Sequence, residues 1–320
     1  MLAKAFDVNS SFIWRPLTLL IRAFLLDKVK FCPDCGSESV VKDGHNRREN
    51  IPRVQMFQCK NCGRRFVERA NTIFYWKHSS MGELFIITWI FFEGGSRNWA
   101  REWISSIGEY SCAEWFERVE NALVGAVGNT GGFVDGIFQA DEMQIRSFGE
   151  KPLVFGVKGE DGKVFETPLP GDSALEFKSA LERADEELGS IIVLDTDGHA
   201  SYPQAAEWLG IHHRPVNRSE EGFVDGKGIH SNGVENLWSH DRPWIEAARG
   251  YSSMKTLKRA VKAHQAYKNQ VKNSPAPVWA FLKITISNPN KGYFLLSFIT
   301  RFHRECRVPV SNNKVFMKFT

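Results

Sequence analysis

The sequence predicts an α/β chain in which a mixed sheet flanked by helices follows a metal-binding ribbon and a mainly helical region. Three observations predict it. Two C-x-x-C turns, F-C-P-D-C-G and Q-C-K-N-C-G-R-R-F, sit near the start of the chain. The middle of the chain alternates short β-rich runs with amphipathic helical stretches. The stretch S-I-I-V-L-D-T-D-G-H-A-S-Y, Ser190 to Tyr202, places four apolar residues in a row and then two aspartates. A short apolar run bounded by Gly reads as a strand buried on both faces. Asp195 and Asp197, two positions apart, share a face in extended backbone. Taken alone they read either as a polar turn closing a core strand or as metal-binding carboxylates at a sheet edge.

Bulk composition is that of an ordinary globular chain, with 320 residues, 42% hydrophobic and 24% charged. That length is enough for two or three domains with their own cores. The net charge of +4 conceals an asymmetry. Residues 130–248 hold 22 acidic and 10 basic residues, a balance of −12, whereas residues 249–320 hold 14 basic residues and one acid, a balance of +13. A basic end beside an acidic middle points to a polyanionic partner, with metal cations offsetting the acidic part. No run reaches the roughly 18 apolar residues of a membrane span. The apolar stretch Phe12 to Leu26 is broken by Arg15, Pro16 and Arg22, and no small-residue cleavage site follows it. The expectation is a cytoplasmic, nucleoid-associated protein with no membrane partner.

Residues 1–30 read as an N-terminal helical segment and residues 31–70 as a zinc ribbon. A C-x-x-C turn followed by Gly lets two thiolates bind one ion while backbone amides approach the sulfurs. Cys32, Cys35, Cys59 and Cys62 therefore complete a four-thiolate structural Zn2+ site. Cys112 and Cys306 read as ordinary thiols. The ribbon is basic, and Arg47, Arg48, Arg64 and Arg65 are its candidate DNA contacts.

Residues 71–129 read as helical and helix-turn-helix-like. A first helix is capped near Ser79 or Ser80 with Glu83 set for a capping box, and Gly94-Gly95 break it. Two more helices separate near Gly108, and Arg97 is a candidate DNA contact on the first of them. The Trp and Phe spacing of the second (Trp115, Phe116, Val119) is that of core packing as readily as of base reading.

Residues 130–272 carry the sheet. A strand passes through Asp141-Glu142, a hairpin turns at Asp161-Gly162, and a helix over Asp172 to Leu188 opens with a Ser173/Glu176 capping box. The apolar strand, a helix from Tyr202 to Leu209, a short strand at I-H-H-R-P-V-N, a loop from Ser219 to His230 and a helix beginning in N-G-V-E-N-L-W-S-H follow. A basic helix from Met254 to Val271 offers Lys255, Lys258, Arg259 and Lys262 as further DNA contacts. Residues 273–320 read as a basic C-terminal tail. Three strands, helix, strand, helix, strand, helix is the order of a ribonuclease H-like mixed sheet. That fold gathers a carboxylate from the first strand, one from the end of the fourth and one from a later helix, the places of Asp141, Asp197 and Glu235.

Phosphodiester chemistry requires charge to be neutralised on attacking and leaving oxygens, which two divalent ions about 3.5–4 Å apart can do when hard carboxylates hold them. With these pieces in order, the chain resembles the zinc-ribbon insertion-sequence transposases of the DDE class (the ISXO type), relatives of the Merlin transposons. The resemblance rests on the paired knuckles running into G-R-R-F and T-I-F, the helix-turn-helix-like stretch, T-D-G-H-A-S-Y, and I-H-S-N-G-V-E-N-L-W-S. It runs from about Cys32 to Tyr267.

It implies a transposase that binds terminal inverted repeats through the ribbon and helical region. Asp141, Asp197 and Glu235 would hold two Mg2+ or Mn2+ ions, one activating water for strand cleavage before the freed 3′-hydroxyl attacks target DNA. Synapsis of two ends implies a homo-oligomer on double-stranded DNA. Asn232 competes with Glu235 as the third ligand, and Asp195 reads as a strand-end companion in support. Arg242 stands where the family usually carries Lys and can contact phosphate. Pro243 is expected to kink or stop its helix. The rival readings are a degenerate or domesticated transposase that only binds DNA, and a nuclease without strand transfer.

Overall fold

The computed structural model describes residues 11–26, 31–46, 54–70, 72–75, 77, 79–104, 106–126, 135–145, 151–216, 232–246 and 251–287. Helix α1 (Ser11–Leu26) runs through Pro16. A three-stranded antiparallel sheet follows, β1 (Val40–Asn46), β2 (Val54–Cys59) and β3 (Arg65–Val67), in that order. Inward residues alternate along β2, and Phe57 stacks on Phe66 in a small core shared with Cys32 and Cys59. The ribbon is tied to α1 through buried Glu68, which takes Arg22 Nε at 2.6 Å and the Gln55 amide at 2.9 Å.

Helices α2 (Met81–Phe92), α3 (Arg97–Trp103) and α4 (Glu109–Ala126) form the next layer. The Ser80–Glu83 capping box is present as expected, with the Ser80 side chain accepting from the Glu83 amide and the Glu83 carboxylate from the Ser80 amide. Cys112, Trp115, Val119, Ala122 and Leu123 recur at helical spacing and turn one face of α4 into the core. The outward residues Glu109, Tyr110, Ser111 and Glu117 include no cation, and both acids are already paired, Glu109 with Arg101 and Glu117 with Arg259. A recognition helix facing phosphates needs the opposite charge.

The central sheet has the order β6-β5-β4-β7-β8, from β4 (Gly136–Gln144), β5 (Leu153–Gly159), β6 (Val164–Leu169), β7 (Ile191–Thr196) and β8 (His212–Pro215). The first three strands form an antiparallel meander, and β7 and β8 add in parallel beside β4. This is the expected mixed sheet with flanking helices. Helix α5 (Ala174–Leu188), opened by the Ser173–Glu176 box, and α6 (Ser201–Leu209) cover one face over Phe138, Phe155, Phe165 and Leu194. The other face packs through Met143, Val154 and Val164 onto α2, α4, α7 (Asn232–Glu246), α8 (Met254–Gln270) and α9 (Pro277–Ser287). The helical layer and the sheet therefore share one core. Val278, Phe281 and Leu282 of α9 are buried in it, so the expected basic tail begins instead with an apolar helix. Residues 288–320, the 128–132 linker and the 219–230 loop lie outside the described residues.

Of the two outcomes expected at Pro243, a kink or a stop, the stop does not occur at the proline itself: α7 continues to Glu246. The last turn is held by packing, since Trp244 and Ile245 are buried and the Trp244 Nε1–H donates to the Phe91 carbonyl at 3.0 Å.

Beneath α7 lies a buried ionic network from three elements. Lys268 of α8 meets Glu166 of β6 at 2.6 Å and also pairs with Asp241 of α7, while His264 Nδ1 lies 3.3 Å from Asp241. Burial and the neighbouring Glu166 push Asp241 up to about 9. Glu166 stays ionised: burial works most strongly against its charge, but the Lys268 ammonium together with hydrogen bonds from His264 and Asp241 outweighs that and holds it below the usual carboxylate range. Burial lowers His264 to about 4. At neutral pH one ammonium thus faces one carboxylate and one protonated acid.

Two stability predictions follow from that balance. Glu166→Gln leaves Lys268 to Asp241, which must give up its proton to replace the lost carboxylate, and is expected to cost about 1.5–3 kcal/mol, whereas Asp241→Asn, which replaces a neutral acid, costs less. Because the folded state keeps the Asp241 proton that the unfolded state has lost, the stability it contributes declines as pH rises toward about 9. His264 opposes this decline only below about 6.5, where the unfolded imidazole binds protons. Denaturant midpoints between those two pH values should therefore fall with pH in the wild type and be flatter in Asp241→Asn.

Candidate active site and metal centres

Parallel pairing sets Gln139 of β4 opposite Asp195 of β7. Two residues further along each strand stand Asp141 and Asp197, so the register brings them level at the sheet's C-terminal edge. The chain leaves β7 through Gly198 at φ +87°, a conformation that favours glycine. Thr196 Oγ1 accepts the Gly198 amide at 3.2 Å and Asp197 Oδ1 accepts the His199 amide at 3.2 Å, which satisfies the turn's donors. The T-D-G sequence is therefore a turn that presents a carboxylate.

Carboxylate oxygens of Asp141, Glu142 and Asp197 all lie within 4.8 Å of one another. Asp141 is buried, and Glu142 and Asp197 are half-buried. Burial raises Glu142 above the usual carboxylate range, the Tyr202 hydroxyl pulls against this, and the charges of Asp197 and Asp141 add to it. Tyr202 donates to Glu142 Oε2 at 2.7 Å and is itself held far above the ordinary phenol value, first by burial and then by Glu142. Sequence reasoning left Glu142 out of the site. Strand alternation sends it to the face opposite Asp141, and only the placement of α6 shows what turns it back.

Asp195 belongs elsewhere. It receives Arg214 of β8 through two bonds, Nε to Oδ1 at 2.7 Å and Nη2 to Oδ2 at 2.9 Å. Its supporting role is to pin β8 to β7. Helix α7 docks against β4 beside Asp141. The Val234 amide donates to Gln139 Oε1 at 3.1 Å, Lys158 Nζ donates to the Gly233 carbonyl at 3.1 Å, and Trp238 Nε1–H donates to Asp141 Oδ2 at 2.9 Å. Asn232 and Glu235 lie in this helix, but their side chains are outside the described residues. Arg242 is exposed, 3.6 Å from Glu246.

The four ribbon cysteines also converge within 4.8 Å, with Cys32–Cys62 and Cys35–Cys59 sulfur pairs at 3.6 Å. The two knuckles are alike: Gly36 and Gly63 adopt φ +70° and +75°, and their amides bond the Cys32 and Cys59 carbonyls at 3.0 Å. The Cys62 amide draws Cys59 down to about 6. Against the pull of the Arg64 amide, burial and the three other thiols push Cys62 up to about 12. A soft divalent ion with four thiolates suits this donor set, as zinc does. Cys112 is a buried thiol raised to about 11 by burial, and Cys306 lies outside the described residues.

The expected DNA contacts divide into two groups. Arg259 is taken up by Glu120 at 2.9 Å and Glu117 at 2.7 Å, and Lys262 by Glu187 at 2.7 Å, so these cations join helices instead of facing outward. Arg64 pairs with Asp34 at 3.3 Å and Arg65 with Asp43. Arg97, Lys255 and Lys258 are exposed, and Arg47 and Arg48 lie outside the described residues.

Chelation should extract one zinc per chain, and cobalt replacement should give the absorption of a tetrahedral four-thiolate site that Cys35→Ser weakens. Asp195→Asn is expected to lower stability by about 1.5–3 kcal/mol through loss of charged hydrogen bonds while leaving divalent-ion binding intact. Thermal unfolding read beside Mn2+ binding checks this.

No protein-family model matches the chain. A Halobacterium salinarum protein described as an uncharacterized protein in transposable element ISH50 is 22% identical over 245 residues, covering 69% of this chain and 80% of the relative. Among solved structures, the HTLV-2 integrase catalytic core domain in complex with magnesium is similar in its dimeric form (TM-score 0.25, 18% identity, 37% of this chain and 86% of that one). Its trimeric form gives a TM-score of 0.30 with 16% identity over 48% of this chain and 99% of that one. The simian T-cell lymphotropic virus intasome in complex with PP2A regulatory subunit B56 gamma gives 0.34 with 14% identity, over 73% and 80% of the two chains. No helix among the described residues is long and apolar enough to cross a membrane.

Proposed function

We propose that this chain is a DNA transposase of the DDE class with a ribonuclease H-like catalytic sheet. The observation that carries the reading is the β4–β7 register, which brings Asp141 and Asp197 level and sets Glu142 within reach of both. The relative's place in a transposable element supports it independently.

The donor set fits hard divalent ions such as Mg2+ or Mn2+, because it offers carboxylate oxygens at a half-exposed edge. Such ions, when bound, supply charge neutralisation at the attacking and leaving oxygens of a phosphodiester. Asp141 and Asp197 would hold them. Glu235 is proposed as the third ligand, with Asn232 as its competitor. In sequence Glu235 falls between Val234 and Trp238, which touch Gln139 and Asp141. Arg242, Arg97, Lys255 and Lys258 are the proposed phosphate contacts, with the ribbon arginines Arg47, Arg48, Arg64 and Arg65. Arg259 and Lys262, half-buried in pairs that join helices, are left out of that set. The zinc ribbon, with Arg97 of the helical layer, would hold the terminal inverted repeats, and synapsis of two ends requires a homo-oligomer.

The test is cleavage of a labelled duplex carrying the ends of the element that encodes the chain, with Mg2+ or Mn2+. Metal-dependent nicking at the repeat boundary is expected. Asp197→Ala and Glu235→Ala should each reduce it by more than about 100-fold, beyond what loss of an outer-shell partner costs. Repeat binding without nicking would instead support a DNA-binding protein that has lost its chemistry. No binding and no nicking by folded, zinc-loaded protein would sink the proposal.

A further inference from the structure

Adjacent residues on a strand point to opposite faces, so Asp141 and Glu142 should diverge. Their oxygens nevertheless converge with those of Asp197 within 4.8 Å. Each is met by an aromatic donor from its own side of the sheet. Trp238 of α7 donates its Nε1–H to Asp141 Oδ2 at 2.9 Å, and Tyr202 of α6 donates its hydroxyl to Glu142 Oε2 at 2.7 Å. Both rings are buried.

Each ring also rests on the cross-strand neighbour of the acid it holds. Asp141 pairs with Gly156 on β5, and a Cβ at Gly156 would lie 2.6 Å from Trp238 Cη2. The missing side chain is the slot in which the indole lies. Glu142 pairs with Phe155, whose ring is 6.2 Å from that of Tyr202, and Phe177 backs Tyr202 at 4.7 Å. Neither donor can turn without disturbing a packed core. Asp141 Oδ1 accepts the Glu142 amide at 2.9 Å, which fixes the remaining rotation of that carboxylate.

We propose that Trp238 and Tyr202 are positioning residues that aim Asp141 and Glu142 from opposite faces of the sheet at one divalent-ion site, and that Glu142 is a member of that site. This rests on the transposase reading for what the ion does, but not for where it binds. Partners of metal-bound carboxylates orient them, and losing one typically weakens metal affinity about 10–100-fold.

The experiment titrates Mn2+ into the full-length, zinc-loaded protein, following the electron paramagnetic resonance signal of the free ion, and measures Mn2+-dependent nicking on the same samples. Trp238→Phe and Tyr202→Phe remove a donor and keep most of the ring. Gly156→Ala leaves every donor and acid in place but drives the indole off its slot. Each is expected to weaken Mn2+ binding by about tenfold with helix content preserved, and excess Mn2+ should restore nicking. If the wild type binds no Mn2+ beyond the zinc site, both the transposase reading and this inference fail. Wild-type binding with folded variants that match it to within about twofold overturns the inference alone. So does a nicking defect that excess Mn2+ does not rescue. Should one variant fail to fold, the other two decide.

Discussion

When β7 lies parallel to β4 with Gln139 opposite Asp195, later residues on the two strands are matched in height, and Asp141 and Asp197 arrive together although 56 positions separate them in sequence. A parallel pair cannot be joined by a hairpin and needs a crossover. The chain supplies one by running out through β5 and β6 and returning through α5 across one face of the sheet. Phe177, Ala180, Leu181, Ala184 and Leu188 recur on one side of α5 and bury it there. A slip of one residue in β7 would turn Leu194 outward and send Asp197 to the wrong face. Burial on both faces thus enforces the register, and the register sets the site.

Among the described residues two carboxylate-rich groups have metal-binding dimensions, and their surroundings separate their roles. Glu166, Asp241 and His264 are enclosed, and Lys268 already stands among them as the cation. An ion entering there would have to displace a buried ammonium and strip its own water with no route to solvent. Asp141, Glu142 and Asp197 lie at a sheet edge, with two of the three half-exposed. Bringing them together costs electrostatic energy, visible in the raised Glu142, and a bound divalent ion would offset that cost. The enclosed group is accordingly structural, and the edge group is where an ion has both access and an electrostatic reason to bind.

Local signals carried well from sequence to structure. The knuckles, the Ser80–Glu83 and Ser173–Glu176 boxes, the Asp161-Gly162 hairpin and the order of strands and helices are written in residues a few positions apart. What depended on distant partners did not carry. Arg259 and Lys262 read as free cations because their acids, Glu117, Glu120 and Glu187, are 75 to 142 positions away. Asp195 and Asp197 look equivalent until Arg214 on the neighbouring strand claims one of them. Gly156 gives no sign in sequence that an indole lies over it, and the lack of cations on the outer face of α4 emerges only once its inner face is known.

Helix α7 shows how packing carries a helix past a proline, here Pro243. A proline there removes one hydrogen bond and crowds the preceding turn, a cost of about 3 kcal/mol in an isolated helix. In this chain the turn beyond it is bound from outside. Trp244 stacks on His264 with ring centroids 4.5 Å apart and donates to a carbonyl in the last turn of α2, while Ile245 is buried in the shared core. Asp241, two residues earlier, joins the Lys268 network, and Trp238, one turn before that, reaches Asp141. Three successive turns of one helix are thus tied to the sheet edge, the buried ionic network and the helical layer. The last of these turns carries α7 through Pro243 and the first holds it against the candidate site, so the proline lies in a helix anchored on both sides of it.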